Sequence, residues 1–352
     1  MSDRSPSAAL NALTLERNIP VSVTVELTRR CPLSCLHCYL PETRGRAAAG
    51  PELDTRQWAG ILRQLAGAGA LYLVFTGGEP LLRPDLPELC SIAKKLNFDV
   101  RIFSTGLGLT AGLAARLKAS GVSAFELSFY GRPAAHDAVT GLEGSFRRSF
   151  AAARLVKRAG LAVKIKMPLM KKNVSQAAWL EKLAEKEAFG ISFDPVITPA
   201  NDGNKSALPL RLSGPRLAKA VKLYGGSLPY AASPGAVPSS ADFLCGAGRN
   251  VCAVGPDGLL YPCLQLPVAL GCLTREKFSR LWKNSGWLKN WRSAGLKDLE
   301  GCSGCRDLAF CSRCPGVSFV EEGDVFAPNK PACEMAAITR SLACNFDQKP
   351  RA

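Results

Sequence analysis

Residues 21–38 read VSVTVELTRRCPLSCLHC, a β-rich run followed at once by three cysteines. The run 21–27 predicts a strand, and a loop leaving its C-terminal end lies where α/β folds place their active sites. Cys31, Cys35 and Cys38 fall within eight residues of one another on that loop. Three thiolates so spaced can wrap one face of a cuboidal iron–sulfur cluster and leave one iron open, whereas four ligands close a structural zinc or an inert four-iron site. The other readings of the same residues are packing cysteines, or a zinc site with His37 as fourth ligand.

Outward from this loop the alternation repeats. Further β-rich runs at 71–75, 98–104, 123–129, 161–167 and 191–197 are separated by helical patterns at 54–68, 84–96, 110–120, 144–159 and 175–189, the first with Asp54 as its expected cap. Such βαβ order implies a parallel sheet with right-handed crossovers, either open or curled into a full or partial barrel. Residues 198–242 then turn rich in Pro, Gly and Ser, with one helix expected near 213–224. The division expected is an N-terminal extension at 1–20, an α/β unit at 21–200, a linker at 201–242 and a cysteine-rich domain at 243–352. That last region carries ten of the fourteen cysteines and few long periodic segments, so it reads as a small domain held by metals more than by a large core.

The whole chain of 352 residues, 47% hydrophobic and 21% charged, with a mean hydropathy of +0.04, excludes a disordered tail and a coiled coil. No apolar run approaches the roughly 18 residues of a membrane span, and the N-terminus lacks a secretion signal, so the expected location is the cytoplasm. In a reducing compartment fourteen thiols point to metal ligands, and with only two histidines, His37 and His136, any metal site must be thiolate-rich. The formal charge of +16 reads as a solvated basic surface or as attraction to an acidic partner. Thiolate-bound clusters, being anionic, would offset part of it.

Cys-x3-Cys-x2-Cys after the first strand resembles the cluster loop of the radical S-adenosylmethionine (radical SAM) superfamily. Thr76–Gly77–Gly78–Glu79–Pro80 after the second strand is similar to that family's GGEP motif, which holds the amino group of the methionine moiety. Glycine permits close backbone approach, and Glu79 can accept from an ammonium. The resemblance implies a partial (β/α)6 TIM-like barrel, with Ser104, Thr105 and Ser128 at strand ends as hydroxyl partners of the bound SAM. His136 and Asp137 match a stretch common in the peptide-modifying branch, or else form a loop and helix cap.

The C-terminal half resembles the SPASM extension of the same superfamily, through Cys245, Gly258 and Cys263, then Cys302-x2-Cys305-x5-Cys311-x2-Cys314, then Cys333. One departure is the gap of two between Cys311 and Cys314, where three is usual. Asp257–Gly258 reads as a hairpin turn that brings Cys245 or Cys252 towards Cys263. The resemblance implies two auxiliary 4Fe–4S clusters, one on Cys245, Cys252, Cys263 and Cys314, the other on Cys302, Cys305, Cys311 and Cys333. Cys252 is spaced awkwardly and reads equally as a buried free thiol. Two zinc sites are the alternative for the whole region. Cys90, Cys272 and Cys344 read as packing thiols.

What the resemblance implies is an enzyme that uses one SAM-binding 4Fe–4S cluster to cleave S-adenosylmethionine reductively to a 5′-deoxyadenosyl radical, which takes hydrogen from a peptide or protein in a RiPP-type modification. Leu264 stands where sulfatase-maturing relatives have aspartate, which argues against that activity. Expected partners are the peptide substrate, an electron donor of the flavodoxin or ferredoxin kind and, because the N-terminal extension is short, a separate leader-peptide-binding protein. Neither a membrane nor nucleic acid is expected. Lys164, Lys166, Lys171 and Lys172 form a solvated rim or a lure for an acidic peptide. The alternatives are a radical SAM enzyme of cofactor or tetrapyrrole biosynthesis and, remotely, a zinc-stabilised nucleic-acid-binding protein.

Overall fold

The computed structural model describes residues 5–40, 52–225 and 245–346, the side chains of the last three excepted. The Cys344 side chain and residues 226–242 of the expected linker therefore lie outside the described part. Six strands, β1 (Ser22–Glu26), β2 (Tyr72–Thr76), β3 (Asp99–Ser104), β4 (Val122–Ser128), β5 (Ala162–Pro168) and β6 (Gly190–Asp194), pair in parallel and in sequence order. After the N-terminal helix α1 (Pro6–Glu16), the crossovers carry α2 (Thr55–Gly67), α3 (Leu86–Lys95), α4 (Ala111–Ala119), α5 (Pro133–Thr140), α6 (Ser145–Arg158) and α7 (Ala177–Glu187), and α8 (Gly214–Tyr224) follows β6. Asp54 caps α2 in a capping box with Gln57, as the sequence suggests.

Strand alternation sorts the side chains. Val23, Val25, Leu73, Phe75, Val100, Ile102, Phe125, Leu127, Ile165 and Met167 face the helices and are buried in the main core, together with Trp58, Ile61, Leu62 and Leu65 of α2. Each such side chain contributes about 1.5–3 kcal/mol of burial free energy. The opposite face is polar: Glu126 is bridged by Lys166 at 2.9 Å, and Lys166 also lies 3.8 Å from the centre of the Phe103 ring. Lys171 donates to Pro209 O at 3.1 Å. Two of the four lysines expected at a rim are thus tied to particular partners.

The sheet does not end at β1. Strand β7 (Val251–Val254) pairs in parallel with β1, and β8 (Leu259–Tyr261) and β9 (Gly271–Cys272) extend it antiparallel. The turn at Asp257–Gly258 closes the β7–β8 hairpin, with Gly258 at φ +83°. Helices α9 (Phe278–Asn284), α10 (Gly286–Ser293), α11 (Pro315–Glu322) and α12 (Lys330–Phe346) follow among the described residues. Leu260, Phe278, Trp282 and Leu288 belong to the main core, whereas Leu296, Leu299, Cys302 and Leu308 form a small cluster of their own. The sheet therefore runs across the position at which the sequence reading begins its second domain. No helix among the described residues is long and apolar enough to cross a membrane.

Candidate active site

The cysteine loop is held from three sides. Gly78 N donates to Thr28 O at 2.7 Å and Glu79 N to Arg30 O at 2.8 Å, so the turn after β2 grips the backbone that enters the loop. Gly77 and Gly78 are needed for that grip: a Cβ on either would stand 2.3 Å from a carbonyl oxygen, of Thr28 and of Arg30 respectively. Buried Arg83 donates to Leu27 O and Leu53 O while its other nitrogens engage Asp85. From the far side, Ser34 N donates to Thr140 O at 2.9 Å and Leu36 N to Val139 O at 3.0 Å, which hangs the loop on the end of α5.

Within this frame Cys31, Cys35 and Cys38 are half-buried neighbours. Burial pushes the Cys31 and Cys35 thiols up to about 12, and the nearby thiolates of the set add to the shift. Three thiolates packed together out of water need a compensating cation, which an iron–sulfur cluster provides. His37 is turned edge-on to Tyr130 at 5.0 Å, and burial lowers it to about 4. Among the described residues no three His, Cys, Asp or Glu side chains lie close enough together to hold a single metal ion.

Glu79, fully buried, sits next to Cys31. Its carboxylate accepts from Ser104 Oγ at 2.7 Å, Thr105 N at 2.7 Å, Thr105 Oγ1 and Leu81 N at 3.0 Å. Burial still drives its pKa above the usual range. Ser104 and Thr105 are thus brought to Glu79 itself, and Pro80 opens the short turn whose Leu81 N–H completes the set. Ser128 is near the loop through Tyr130, whose hydroxyl interacts with both Ser128 and Cys35. Asp137 accepts from Gly144 N, Ser145 Oγ and Phe146 N at 2.7–2.8 Å and so caps α6, while His136 is buried among Phe129, Tyr130 and Phe146.

In the C-terminal half the cysteines fall into two sets. Cys245, Cys263 and Cys314 are mutual neighbours, and burial raises Cys245 to about 12 and Cys263 to about 11. Cys302, Cys305, Cys311 and Cys333 form the other, with burial raising Cys311 to about 11. Cys314 ends in an extended conformation at the start of α11, whose Gly316 and Val317 N–H groups reach its sulfur. Gly316 allows this, since a Cβ there would stand 2.0 Å from Gln265 O, two residues beyond Cys263. Cys252 lies apart from the first set's small cluster: it is on β7, level with Val23, fully buried in the main core, and among the described thiols Cys263 alone bears on it. Cys90 is buried in α3, and Cys272 lies 3.1 Å from Thr274 Oγ1.

Between the loop and the hairpin lies a cavity of about 270 Å³, bounded by Glu26, Arg29, Asn201, Val254, Tyr261 and Leu264. Glu26, at the end of β1, accepts from the Tyr39 hydroxyl at 2.7 Å, and burial raises its pKa. Arg29 pairs with Asp257 at 3.1 Å across the junction. Glu26, Tyr39, Arg83, Asn201 and Gly316 were not singled out in the sequence. The position of Glu26 on the polar face, five residues before Cys31 at a strand's C-terminal end, is the signal that would have found it.

Two domain families match this architecture: the radical SAM superfamily over residues 25–182 and an iron–sulfur cluster-binding domain, SPASM, over 245–315. The PqqA peptide cyclase of Gluconobacter oxydans is 32% identical over 252 residues, covering 69% of this chain and 70% of that protein. The chain belongs to the radical SAM superfamily. The mycofactocin maturase MftC of Mycobacterium ulcerans is 32% identical over 288 residues, covering 76% of this chain and 75% of its own. In fold, SuiB of Streptococcus suis, solved with its precursor peptide SuiA, superposes with a TM-score of 0.71 at 17% identity over 95% of this chain and 82% of its own. The radical SAM chain is accordingly an enzyme with a partial barrel, whose family cofactors are 4Fe–4S clusters and S-adenosylmethionine.

Proposed function

We propose that this enzyme modifies a ribosomally made peptide through a carbon-centred radical. Cys31, Cys35 and Cys38 would hold the SAM-binding cluster, Cys245, Cys263 and Cys314 the first auxiliary cluster, and Cys302, Cys305, Cys311 and Cys333 the second. When bound, the reduced cluster supplies the electron that cleaves S-adenosylmethionine to methionine and a 5′-deoxyadenosyl radical able to abstract hydrogen from an unactivated carbon. The chain's own residues supply the frame. Gly77, Gly78 and Glu79 fix the loop, and Glu26, held by the Tyr39 hydroxyl, presents a carboxyl to the cavity. Arg29 and Asp257 join its two walls. The observation that carries the reading is that this cavity is lined both by Arg29 and Leu40, which flank the three-thiol loop, and by Leu264, adjacent to Cys263. A side chain of a peptide seated there would lie between the radical source and an auxiliary cluster. The peptide-acting relatives support the substrate class, and a flavodoxin- or ferredoxin-type donor, a separate leader-binding protein and the cytoplasm suit the chemistry.

Anaerobic purification with iron and sulfide analysis is the test. About twelve irons per chain are expected from three four-iron clusters, and 5′-deoxyadenosine should form under reducing conditions. Replacing Cys31, Cys35 and Cys38 together by alanine should abolish that product. Tightly bound zinc without iron, or product formation surviving the triple change, would overturn the reading.

A further inference from the structure

We propose that Arg313 is the shared countercharge of the two auxiliary clusters and sets the reduction potential of both. This rests on the proposed cluster reading of the two thiol sets and adds a role for a residue that belongs to neither.

Arg313 stands between Cys311 of one set and Cys314 of the other, inside the gap that is one residue shorter than the SPASM pattern. Its side chain does not reach solvent: the residue is 4% exposed. Nη2 donates to Val325 O and to Ala327 O, the latter at 2.8 Å, and Nε has no protein partner. That anchoring places the guanidinium on a seam. Val325 belongs to the apolar cluster against which Cys245 and Cys263 pack, and its neighbour Phe326 packs against both that cluster and the one holding Cys302 and Cys305. The charge of Arg313 is felt at Cys245 and Cys314 in one set and at Cys302, Cys311 and Cys333 in the other.

A guanidinium stays charged in a protein interior, and burying one without a carboxylate partner is costly. No carboxylate donates charge balance to Arg313 in the described hydrogen bonds, which end on carbonyl oxygens. The thiolate sets are the anions available to it. Other charges bear on single sets: Arg249 on Cys245, Asp194 on Cys314, Asp307 on Cys333. Adding an electron makes a thiolate-bound cluster more negative, and a fixed cation stabilises that reduced form most when it is desolvated. A single cation between two such centres raises both potentials together, which keeps them matched for electron transfer from one to the other.

The test is an anaerobic redox titration followed by electron paramagnetic resonance, in full-length protein carrying Cys31→Ala, Cys35→Ala and Cys38→Ala so that only the auxiliary clusters are read. Arg313→Gln keeps a donor for the carbonyls and removes the charge; Arg313→Lys keeps the charge. With iron content intact, Arg313→Gln should shift the one-electron reduction equilibrium of both clusters about tenfold towards the oxidised form, ~59 mV each, while Arg313→Lys stays near the parent. Unchanged potential at either cluster in Arg313→Gln, or an equal drop in Arg313→Lys, overturns the proposal. Should Arg313→Gln lose the clusters, retention of iron and potentials by Arg313→Lys supports the charge role, and loss of iron there too overturns it in favour of simple anchoring. A wild-type chain lacking the C-terminal irons would overturn the cluster reading itself, a result separable from unmoved potentials in iron-replete variants.

Discussion

Gly78 shows how one missing side chain fixes a catalytic loop. A Cβ at this position would meet Arg30 O at 2.3 Å, the Arg30 carbonyl carbon at 2.6 Å and Arg29 O at 2.7 Å, all backbone atoms that have no rotamer by which to yield. Overpacking of this kind costs about 1–3 kcal/mol where the surroundings can adjust, and here the segment that must shift leads directly into Cys31. Gly78→Ala should therefore strip the loop cluster, lowering iron by about four per chain and abolishing 5′-deoxyadenosine formation, with the auxiliary irons retained. Gly60→Ala in α2 is the matched control. Nothing lies within 4 Å of its added methyl, so helix propensity should raise stability by about 0.5–1 kcal/mol without loss of iron. At this scale the structure adds a contact that the sequence motif does not show. The GGEP glycines read as a ligand cradle, and in the folded chain they also let the turn close on the backbone of Thr28 to Arg30. Backbone-to-backbone approach between residues fifty apart has no local signature.

At the scale of elements, α5 and α6 form a bracket behind the cysteine loop, and Asp137 is its pin. Removing its three hydrogen bonds by Asp137→Ala should cost about 0.5–2 kcal/mol as the loss of a helix cap, read as a lowered thermal midpoint in protein that still contains iron. Desolvation pushes the Asp137 carboxyl up, but the Phe146 N–H, the Ser145 hydroxyl and the Gly144 N–H outweigh it and hold the group below the usual carboxylate range. A depressed folded pKa means that the cap's contribution is full above the unfolded value, near 3.9, and fades as the pH falls through the folded one. The gap between wild type and Asp137→Ala should therefore be constant from neutral pH down to about 5 and close in stronger acid. The six strands were legible because their alternation is interrupted by helical periods of ordinary length. Helix α1 was passed over although Ser5 caps it and Pro6 opens it, since among its residues only Thr14 is buried and the apolar stripe is absent. Helix α12 has no clear signature because it opens on Lys330–Pro331 within the cysteine-rich stretch and carries Cys333 in its first turn. The sign of the helix was Asn329, whose side chain accepts from Ala332 N and whose Nδ2 donates to Cys314 O at 2.9 Å, linking the element that carries Cys333 to the other thiol set.

Taken whole, the molecule divides by what holds it together, and the division does not follow the change in composition. The cysteine-rich half looked, from its sequence, like a unit sustained by metal. Its first part instead continues the barrel sheet: β7 hydrogen-bonds along β1, Trp282 Nε1 donates to Asn18 O at 2.7 Å, and Phe278, Leu281 and Leu288 are buried in the main core. Its second part opens, over about residues 295–314, as a chain of tight turns, Cys305 N to Cys302 O and Cys311 N to Leu308 O among them, around the small cluster of Leu296, Leu299, Cys302 and Leu308, before the short helix α11 and the start of α12. Apolar burial on that scale does not offset the entropy of ordering the segment, so the clusters would have to supply the difference. Limited proteolysis of the full chain before and after iron removal separates the two modes. Cleavage in the apo protein should concentrate between Gly295 and Cys333, while the span from Val251 to Leu288 stays protected because its strand order and core contacts persist without metal. Replacing Cys302, Cys305, Cys311 and Cys333 together should reproduce the same cleavage pattern in a monodisperse protein with about eight irons. Early cutting at β7–β9 in either preparation would mean that the sheet, too, depends on the clusters, and that the parallel seam between β1 and β7 is a consequence of metal binding and not its foundation.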